Sequence, residues 1–370
     1  MKQILLMAVY MWSVAGLPFN GPAAASFGIT PLGPGLHLGF GSFAPVSDDA
    51  SSVLEDRVAV ATAAGMDVSR VMVDWAEVET APGTIDLSLL NDQLARVPKN
   101  SHLLLTLGVT DVDHYSVPDD LLTSGTELAL PLDDAEVIAR YITVLDAVVP
   151  TVQADHALFA LSVANEPDDL LQDRPAEDVT ALATFTMAIS EYVATTYSGL
   201  PVTVTISGPG IAFARDFVPE LVAATDIAAF NWSCLDFETF LSTDTQAIAA
   251  AIDQLVTAAD GRDIILQELS CASGYTDQKS FIGSTPEGQA AWFDQFFSAM
   301  EAEPQFRAAF VLDLVDWPAD LAASSTDFLR GEGLDEIADR YGEFLATWGL
   351  LTLDLTPKPA WQIFLDHLSA

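Results

Sequence analysis

The stretch Phe159-Ala-Leu-Ser-Val-Ala-Asn-Glu-Pro-Asp168 decides how the rest of the chain is interpreted. Its first six residues are apolar or small and favour a β-strand. The run ends at Asn165 and Glu166, and Pro167 marks the change to an acidic loop. A glutamate that ends a buried strand is uncommon, because an unpaired buried carboxylate is costly in free energy. We therefore interpret Asn165 and Glu166 as candidate functional residues at the carboxyl end of a strand.

Similar apolar runs recur along the chain. Each favours a strand buried on both faces, because it is continuously apolar rather than alternating. The eight runs are Leu36–Phe43, Ser69–Trp75, His102–Gly108, Ala157–Asn165, Val202–Ser207, Ile227–Trp232, Asp263–Leu269 and Phe306–Val315. Glu166 thus follows the fourth predicted strand.

Segments with helical spacing of apolar residues separate these runs. The predicted helices are Ser52–Ala64, Leu87–Val97, Asp134–Val149, Ala176–Tyr197, Phe213–Ala224, Thr245–Ala259 and Pro286–Ala302. Strands that alternate with helices pair in parallel through right-handed crossovers. Eight such units predict an α/β fold, a single-domain (β/α)8 TIM barrel. The segment Leu350–Ala370 is predicted to add a turn and a closing C-terminal helix.

The charge of the chain is strongly unbalanced. Among 370 residues, 53 are acidic and 14 basic, for a formal net charge of −39. Such a surface repels phosphate backbones and anionic lipids, so no nucleic-acid or membrane partner is predicted. It also disfavours an anionic substrate such as a polyuronate. The acidity itself is typical of a highly soluble protein, including one from a saline medium.

The N-terminus has the features of a signal peptide. Lys2 precedes an apolar run from Ile4 to Leu17, and Ala23-Ala-Ala25 has the small-residue spacing of a cleavage site. The run is short for a transmembrane helix. We therefore expect residues 1–25 to be removed from a secreted protein whose residues 26–370 form the catalytic domain. The alternative is that the run is an apolar element of the mature fold.

A second carboxylate, Glu268, ends the seventh predicted strand. In a barrel the carboxyl ends of the strands meet at one mouth, so Glu166 and Glu268 should face each other there. Two opposed carboxylates, one protonated and one ionised, are what glycoside hydrolysis requires. The long loops Val109–Leu132 and Asp316–Thr347 follow the third and eighth strands, and we expect them to form walls of a substrate groove.

With these residues in place, the chain resembles glycoside hydrolase clan A, the retaining (β/α)8 glycosidases. The resemblance covers nearly the whole mature chain. It is carried by SRVMVDWAEVETAPGTIDLS (69–88), ANEPDD (164–169), LQELSCASGYTD (266–277), STPEGQAAWFDQFF (284–297) and WGLLTLDLTPKPAWQIF (348–364). Each piece alone is weak evidence, but their order and register are typical of the clan. They do not indicate one family or one substrate.

The resemblance implies a role for several residues. Glu166 would be the general acid/base and Glu268 the nucleophile of a double displacement. Asn165 would bind the 2-hydroxyl of the sugar, and Arg70 would support the nucleophile. Trp317 resembles the aromatic floor of the sugar subsite. The sequence departs from the clan at the sixth strand, where Trp232 stands in place of a tyrosine or histidine.

Other residues near strand ends have two interpretations each. Trp75, Trp232 and Trp317 either stack on sugar rings or pack in the core or rim, because aromatic faces suit both. His114, in Asp111-Val-Asp-His114, either binds sugar or lies in a solvated loop. Each of these side chains is a candidate substrate-binding residue.

The two cysteines, Cys234 and Cys271, each follow one of two strands that are neighbours in a barrel. A disulfide that braces this part of the mouth is predicted, and two free buried thiols are the alternative. The cysteines form no zinc site, and a chain with five histidines and no His-x-His pair predicts no catalytic metal. No organic cofactor is predicted either.

The sequence as a whole predicts a secreted retaining glycoside hydrolase that acts on β-linked glycans. The two long loops favour endo action on a polysaccharide. The alternatives are a TIM barrel that binds glycan without turnover, and a transglycosylase that uses the same residues. The expected partner is therefore a carbohydrate, and the sequence does not determine the oligomeric state.

Overall fold

A computed structural model of the chain describes residues 32–42, 51–98, 101–124, 127–237, 244, 247–275, 285–331 and 333–369. The predicted signal peptide, residues 1–25, lies outside these ranges. All eight predicted strands and the residues at their carboxyl ends lie inside them, apart from Phe43. The strand ends that form the mouth of the predicted barrel can therefore be described, with parts of the loops that follow them.

Eight parallel strands form the centre of the molecule. They are β1 (His37–Ser42), β2 (Val68–Asp74), β3 (His102–Gly108), β4 (Ala157–Asn165), β5 (Val202–Ile206), β6 (Ala228–Ser233), β7 (Ile264–Ser270) and β8 (Phe306–Asp313). Each strand pairs with the next along the chain, and β8 pairs with β1, so the sheet is closed. The predicted (β/α)8 TIM barrel is confirmed.

Helices connect the strands on the outside of this barrel. They are α1 (Ser51–Ala64), α2 (Ser88–Leu94), α3 (Ala135–Gln153), α4 (Ala176–Thr196), α5 (Val218–Ala223), α6 (Ile248–Ala258), α7 (Pro286–Ala302) and α8 (Pro359–Leu368). The helix α8 is the predicted closing helix. The largest difference from prediction concerns Phe213–Ala224, because α5 begins only at Val218. Ala214 has a φ of 47°, and this left-handed conformation interrupts a helix.

The loops at the carboxyl ends of the strands carry short elements of their own. After β3, Thr110–Asp111 pairs with His114–Tyr115 in a hairpin. The loop after β8 contains Ala319–Ser324, Asp327–Gly331 and a longer helix, Asp335–Ala346, called the loop helix below. The two long loops predicted to form walls at the mouth therefore have ordered local structure.

The interior of the barrel changes in polarity along its axis. One cluster of buried apolar side chains contains Val68, Leu104, Phe159, Ala160, Ile227, Ala229, Ile265, Ala308 and Phe310. Further along the same strands, towards their carboxyl ends, buried polar side chains bond to one another across the barrel. Gln267 of β7, for example, accepts from Thr106 of β3 and Thr205 of β5. The mouth therefore lies above a polar layer that can orient hydrogen-bonding groups.

A disulfide joins the loops after β6 and β7. The sulfur atoms of Cys234 and Cys271 are 2.04 Å apart, and both residues are buried. The predicted disulfide is confirmed, and the alternative of two free thiols is wrong. Because Glu268 lies in β7 and Asn231 in β6, this cross-link fastens together two strands that supply side chains to the mouth.

Candidate active site

The backbone of Glu166 has an unusual conformation. Its φ of 44° and ψ of 42° lie in the left-handed region, which costs a non-glycine residue about 1–2 kcal/mol. The amide of Glu166 donates to Thr205 O (2.8 Å), and its carbonyl accepts from Asp169 N (3.1 Å). Side chains with such strained backbones are often functional, and here the strain turns the residue at the point where β4 ends.

A buried carboxylate just after Glu166 fixes this turn. Asp168 is fully buried and accepts from both the amide and the hydroxyl of Ser207, at 2.8 and 2.7 Å. Arg215 donates to Asp168 Oδ2 at 2.8 Å and to Asp169 Oδ1 at 2.8 Å. These bonds join the segment after β4 to the segment after β5, and so they hold Glu166 at the mouth.

The carboxyl group of Glu166 is poised to be protonated. Burial raises its pKa well above the ordinary value, and the charge of Glu268 raises it further. Asn231 Nδ2 donates to Glu166 Oε1 at 2.8 Å, which lowers the pKa by a smaller amount. A carboxyl group with a raised pKa keeps its proton to higher pH than an ordinary glutamate, and so it is suited to act as a general acid.

Glu268 has a different environment. Arg70 Nη1 lies 2.6 Å from Glu268 Oε1, in an ion pair between β2 and β7. The Arg70 side chain is only 4% exposed, whereas that of Glu268 is 21% exposed and faces the cavities described below. The arginine is thus a buried counter-ion that orients an accessible carboxylate. The two glutamates therefore have distinct environments: the pKa of Glu166 is raised, and Glu268 is paired with a cation. Acid/base and nucleophile roles require such a difference.

Asn165 is oriented by a chain of hydrogen bonds. Because Gln267 Oε1 accepts from two threonine hydroxyls, its Nε2 must point away from them, and it donates to Asn165 Oδ1 at 2.7 Å. Asn165 Nδ2 in turn donates to Asp111 Oδ1 at 2.9 Å. The second N–H of Nδ2 can donate to a hydroxyl group of a bound sugar. The structure places Asn165 where the resemblance implied, beside Glu166 and at the mouth.

Two cavities meet at the pair of glutamates. The larger has a volume of about 780 Å³ and is bordered by Arg70, Asp74 and Asp111. The smaller has a volume of about 490 Å³ and is bordered by Trp232 and Trp317. Both are lined by Glu166, Glu268, Tyr341, Val112, Leu312 and Trp348. The carboxyl groups therefore stand where two open spaces join, as a bond between two sugars would require.

Two further carboxyl groups near the mouth have raised pKa values. Burial raises the pKa of Asp313, at the end of β8, to about 8, although Trp317 Nε1 donates to it at 2.8 Å. Burial and the charges of Asp111 and Glu77 raise the pKa of Asp74 to about 7. Asp74 lines the larger cavity, so it is an additional polar group that sugar hydroxyls could reach.

The three tryptophans have different positions. Trp75 is fully buried, donates to Glu79 Oε2 at 2.8 Å and packs edge-on against Tyr141. Its predicted role in substrate binding is wrong for this structure, because the short helix that begins at Trp75 turns the indole into the core. Trp232 packs edge-on against Phe237 and lines the smaller cavity. Trp317 lines the same cavity and is held by Asp313.

His114 lies on the hairpin after β3, beside the mouth but not in it. Its side chain is 49% exposed and Nδ1 lies 3.1 Å from Asp113 Oδ1. Asp111 and Val112 of the same hairpin line the larger cavity, whereas His114 does not border either cavity. Of the two interpretations made from sequence, this position favours the solvated loop.

Sequence reasoning did not identify Asp74, Asn231 and Tyr341, which border the cavities, or Gln267, which lies buried below them. Gln267 and Asn231 are polar residues inside otherwise apolar runs, and this was a usable signal, since buried polar groups need partners. Tyr341 lies in a helix of the long loop after β8, and nothing in its local sequence distinguishes it from a surface residue.

The part of the chain that the structure describes contains no group of three or more His, Cys, Asp or Glu side chains able to hold a metal ion. Among the described helices, none is both long enough and apolar enough to cross a bilayer.

The molecule is thus a (β/α)8 barrel with two glutamates that line the same cavities at its mouth. Among solved structures, a GH5_18 glutamate-to-alanine variant from Bifidobacterium longum subsp. longum in complex with Manβ1-4GlcNAc has a TM-score of 0.62. It shares 14% identity, over 90% of this chain and 78% of its own. GH5_18 from Streptomyces cattleya in complex with GlcNAc has a TM-score of 0.61 and 14% identity, over 92% and 80% of the two chains.

The exo-β-1,4-mannosidase Op5Man5 from Opitutaceae bacterium strain TAV5 is also similar. Its TM-score is 0.60 at 14% identity, over 94% of this chain and 62% of that protein. Neither a protein-family model nor a curated protein matches the chain at the level of sequence. At these identities the likeness establishes a shared barrel fold, and the chemistry has to be argued from the site.

Proposed function

We propose that the chain is a retaining β-glycosidase. The observation that carries the proposal is the pair Glu166 and Glu268, which line the same two cavities in opposite electrostatic settings. Retaining glycosidases need one carboxyl group as acid and one carboxylate as nucleophile. The barrel fold that the chain shares with several glycoside hydrolases supports this interpretation of the site.

In the first step, Glu268 attacks the anomeric carbon and forms an ester bond to the sugar. The glycosidic C–O bond breaks, and Glu166 gives its proton to the departing oxygen. In the second step, the ionised Glu166 takes a proton from water, whose oxygen attacks the same carbon. The ester bond breaks, Glu268 leaves as a carboxylate, and the net change is the addition of one water across the glycosidic bond.

The proposed substrate is a neutral β-linked glycan. Carboxylates border the larger cavity, including Glu77 and Asp111, and they would repel a uronate. Two of the similar structures hold Manβ1-4GlcNAc or GlcNAc, and a third is a β-1,4-mannosidase, so β-mannosides are the first substrates to test. The cavities on both sides of the glutamates support endo action, because a chain could extend past the cleaved bond in both directions.

The test is turnover of a panel of 4-nitrophenyl β-glycosides (mannoside, glucoside, galactoside, N-acetylglucosaminide) and of dyed β-mannan and β-glucan. We expect the wild type to cleave at least one of them and Glu268→Ala to lose activity by about 10⁴-fold or more, since loss of a covalent nucleophile removes the reaction path. Glu191→Ala, an exposed glutamate on α4, is the matched control and should match the wild type.

Further measurements separate the alternatives. Proton NMR of the first product should show the β-anomer, and an α-anomer would contradict retention. Glycan binding by a wild type that cleaves no substrate would support the non-catalytic barrel instead. Transfer to acceptor sugars in preference to water would support a transglycosylase. Release of oligosaccharides of mixed length from β-mannan or β-glucan supports endo action, and single sugars from chain ends contradict it.

We also propose that the protein is exported. The support comes from the signal-peptide features of residues 1–25 and from the buried Cys234–Cys271 disulfide, because such bonds persist mainly in oxidising compartments. Mass spectrometry of protein recovered from the culture medium or the periplasm should give an N-terminus at Ser26. Recovery of the full-length chain from the cytoplasm alone would contradict export.

A further inference from the structure

The phenol side chain of Tyr341 lies at the cavities that Glu166 and Glu268 line, although Tyr341 is distant from both in the sequence. It lies in the loop helix, Asp335–Ala346, about 175 residues after Glu166 in sequence. Its side chain is half-buried and lines both cavities, each of which is also lined by Glu166 and Glu268. In the described part of the chain, no tyrosine other than Tyr341 borders either cavity. The loop after β8 therefore supplies a hydroxyl group to the reaction centre.

The loop helix is held firmly against the strand that carries Glu268. At its C-terminal end, Thr347 O accepts from both the amide and the hydroxyl of Ser273, each at 2.9 Å. Ser273 lies three residues beyond the end of β7. Lys358 Nζ donates to the same carbonyl at 3.0 Å and to Asp316 Oδ1 at 2.6 Å. These bonds fix the end of the loop helix to the segment just after β7, the strand that carries Glu268, so Tyr341 has a defined position relative to Glu268.

The ring of Tyr341 is packed as well. It stacks on Phe344, with ring centroids 6.4 Å apart and planes inclined by 26°. Phe344 is buried and packs edge-on against Trp348, which lines both cavities. Since the aromatic ring supplies this packing, replacement by phenylalanine should remove the hydroxyl alone and leave the helix in place.

The environment keeps the phenol protonated. Burial raises the pKa of Tyr341 above its ordinary value, and the charges of Glu166, Glu268 and Asp169 raise it further. The charged groups that face it are therefore acidic ones, and each disfavours a phenolate. At neutral pH Tyr341 is a hydrogen-bond donor close to two carboxyl groups.

We propose that Tyr341 is a catalytic residue whose phenolic O–H donates a hydrogen bond to Glu268 in the reaction. This rests on the proposed function of Glu268 as the nucleophile. In the first step Glu268 loses its charge as it bonds to carbon, so a donor does not lower that barrier. In the second step the ester bond breaks and charge returns to Glu268, so the donor stabilises the transition state.

The decisive variant is Tyr341→Phe, with Tyr197→Phe as the matched control. The hydroxyl of Tyr197 donates to Asp146 at 2.8 Å on the outer helices, and neither residue borders the two cavities. The probes are 2,4-dinitrophenyl β-glycosides of mannose, glucose and galactose. Their good leaving group makes the first step fast, so slowing of the second step is visible directly.

For Tyr341→Phe we expect kcat to fall by at least about tenfold, which is a conservative bound because loss of one transition-state donor typically costs about 10²- to 10³-fold. KM should fall with it, because the glycosyl-enzyme accumulates. A burst of dinitrophenol close to one equivalent per enzyme should appear, and intact mass should show one hexosyl group attached. Tyr197→Phe should show none of these changes in kcat, KM, burst or mass.

Two results would overturn the proposal. One is wild-type kcat with no accumulated intermediate in Tyr341→Phe. The other is a lower kcat with a raised KM and no burst, which would indicate only that the hydroxyl supports local structure. If the wild type cleaves no glycoside at all, the proposed function fails and Tyr341 fails with it. If the wild type is active and Glu268→Ala is not, the proposed function holds, and the kinetics of Tyr341→Phe then test the role of Tyr341 separately.

Discussion

Arg70 and Glu268 are 198 positions apart in the chain, and their side chains meet at 2.6 Å across the mouth of the barrel. The arginine comes from β2 and the glutamate from β7, with β8 and β1 between these two strands. A charge as deeply buried as that of Arg70 is stable only when it is paired. The pair therefore links the folding of the barrel to the position of the Glu268 carboxylate, because only the closed sheet brings these strands within reach.

Replacing Arg70 by methionine should impair catalysis severely. Methionine preserves much of the volume but removes the counter-ion and the hydrogen bond to Glu268. Loss of one partner of a buried, bonded charge pair costs about 2–5 kcal/mol, so kcat/KM should fall by about 30- to 5000-fold. The measurement is hydrolysis of the best aryl glycoside of the panel.

The control for this change is Arg307→Met, which breaks an exposed pair with Asp263 at the other end of the barrel. It should retain activity within about twofold, since exposed pairs contribute at most about 1 kcal/mol. If Arg70→Met were as active as this control, the arginine would have no role in positioning Glu268.

The alkaline limb of the pH profile should depend on Asn231. Glu166 acts as an acid only when protonated, so kcat/KM falls as the pH rises through its pKa in the free enzyme. The bond from Asn231 favours the charged form and lowers this pKa. In Asn231→Ala that effect is lost, and the alkaline limb should move to higher pH.

The profile of kcat/KM against pH for wild type and Asn231→Ala tests this shift. Only the pH of the alkaline limb is compared, because a change in the maximum value of kcat/KM can have other causes. A limb that moves to lower pH would show that the amide favours the protonated form of Glu166. In Glu166→Ala the limb should disappear, because the group that titrates is absent.

The disulfide between Cys234 and Cys271 should contribute measurably to stability. It closes a segment with a sequence separation of 37, for which the chain-entropy model predicts about 3–4 kcal/mol at 25 °C. The variant Cys234→Ser/Cys271→Ser should therefore unfold at a lower urea concentration than the oxidised wild type. Addition of a reductant should lower the wild-type midpoint and leave that of the double variant unchanged. Equal midpoints for oxidised and reduced wild type would contradict this contribution.

Lys358 should be essential for the stability of the wall formed by the loop after β8. Its ammonium group is buried and donates to Asp316 and to three other oxygen atoms, on Ser273, Thr347 and Gly349. Lys358→Met leaves the largely buried Asp316 carboxylate without its cation and, among the described residues, with only the bond from Gly349 N. Loss of one partner of a buried ion pair typically costs about 3–5 kcal/mol. Urea denaturation measures the loss.

The double variant Lys358→Met/Asp316→Leu removes both charges, and part of the stability should return. A double variant no more stable than Lys358→Met would show that the backbone bonds of the lysine, rather than its charge pair, hold the loop. A single variant as stable as the wild type would show that this buried pair contributes nothing.

Much of the site could be predicted because it follows from strand ends. Glu166 and Glu268 each end an apolar run, and in a closed parallel sheet all such ends meet at one face. The same argument placed Cys234 and Cys271 just after two neighbouring strands. It failed for Trp75, which follows β2 but enters a short helix at once and is turned into the core. Position along a strand predicts which end a residue occupies, whereas the backbone after the strand determines where its side chain points.

The sequence by itself determined the eight-fold alternation of strands and helices, and thereby the barrel and the two carboxyl groups at its mouth. Period, apolarity and turn residues are local properties that can be identified in a single chain. Only the tertiary structure decided that Asn231 bonds to Glu166, that Gln267 orients Asn165 and that Tyr341 lines the same cavities as Glu268. These relationships depend on register between strands and on the path of a long loop, and both are set by packing between residues that are distant in the sequence.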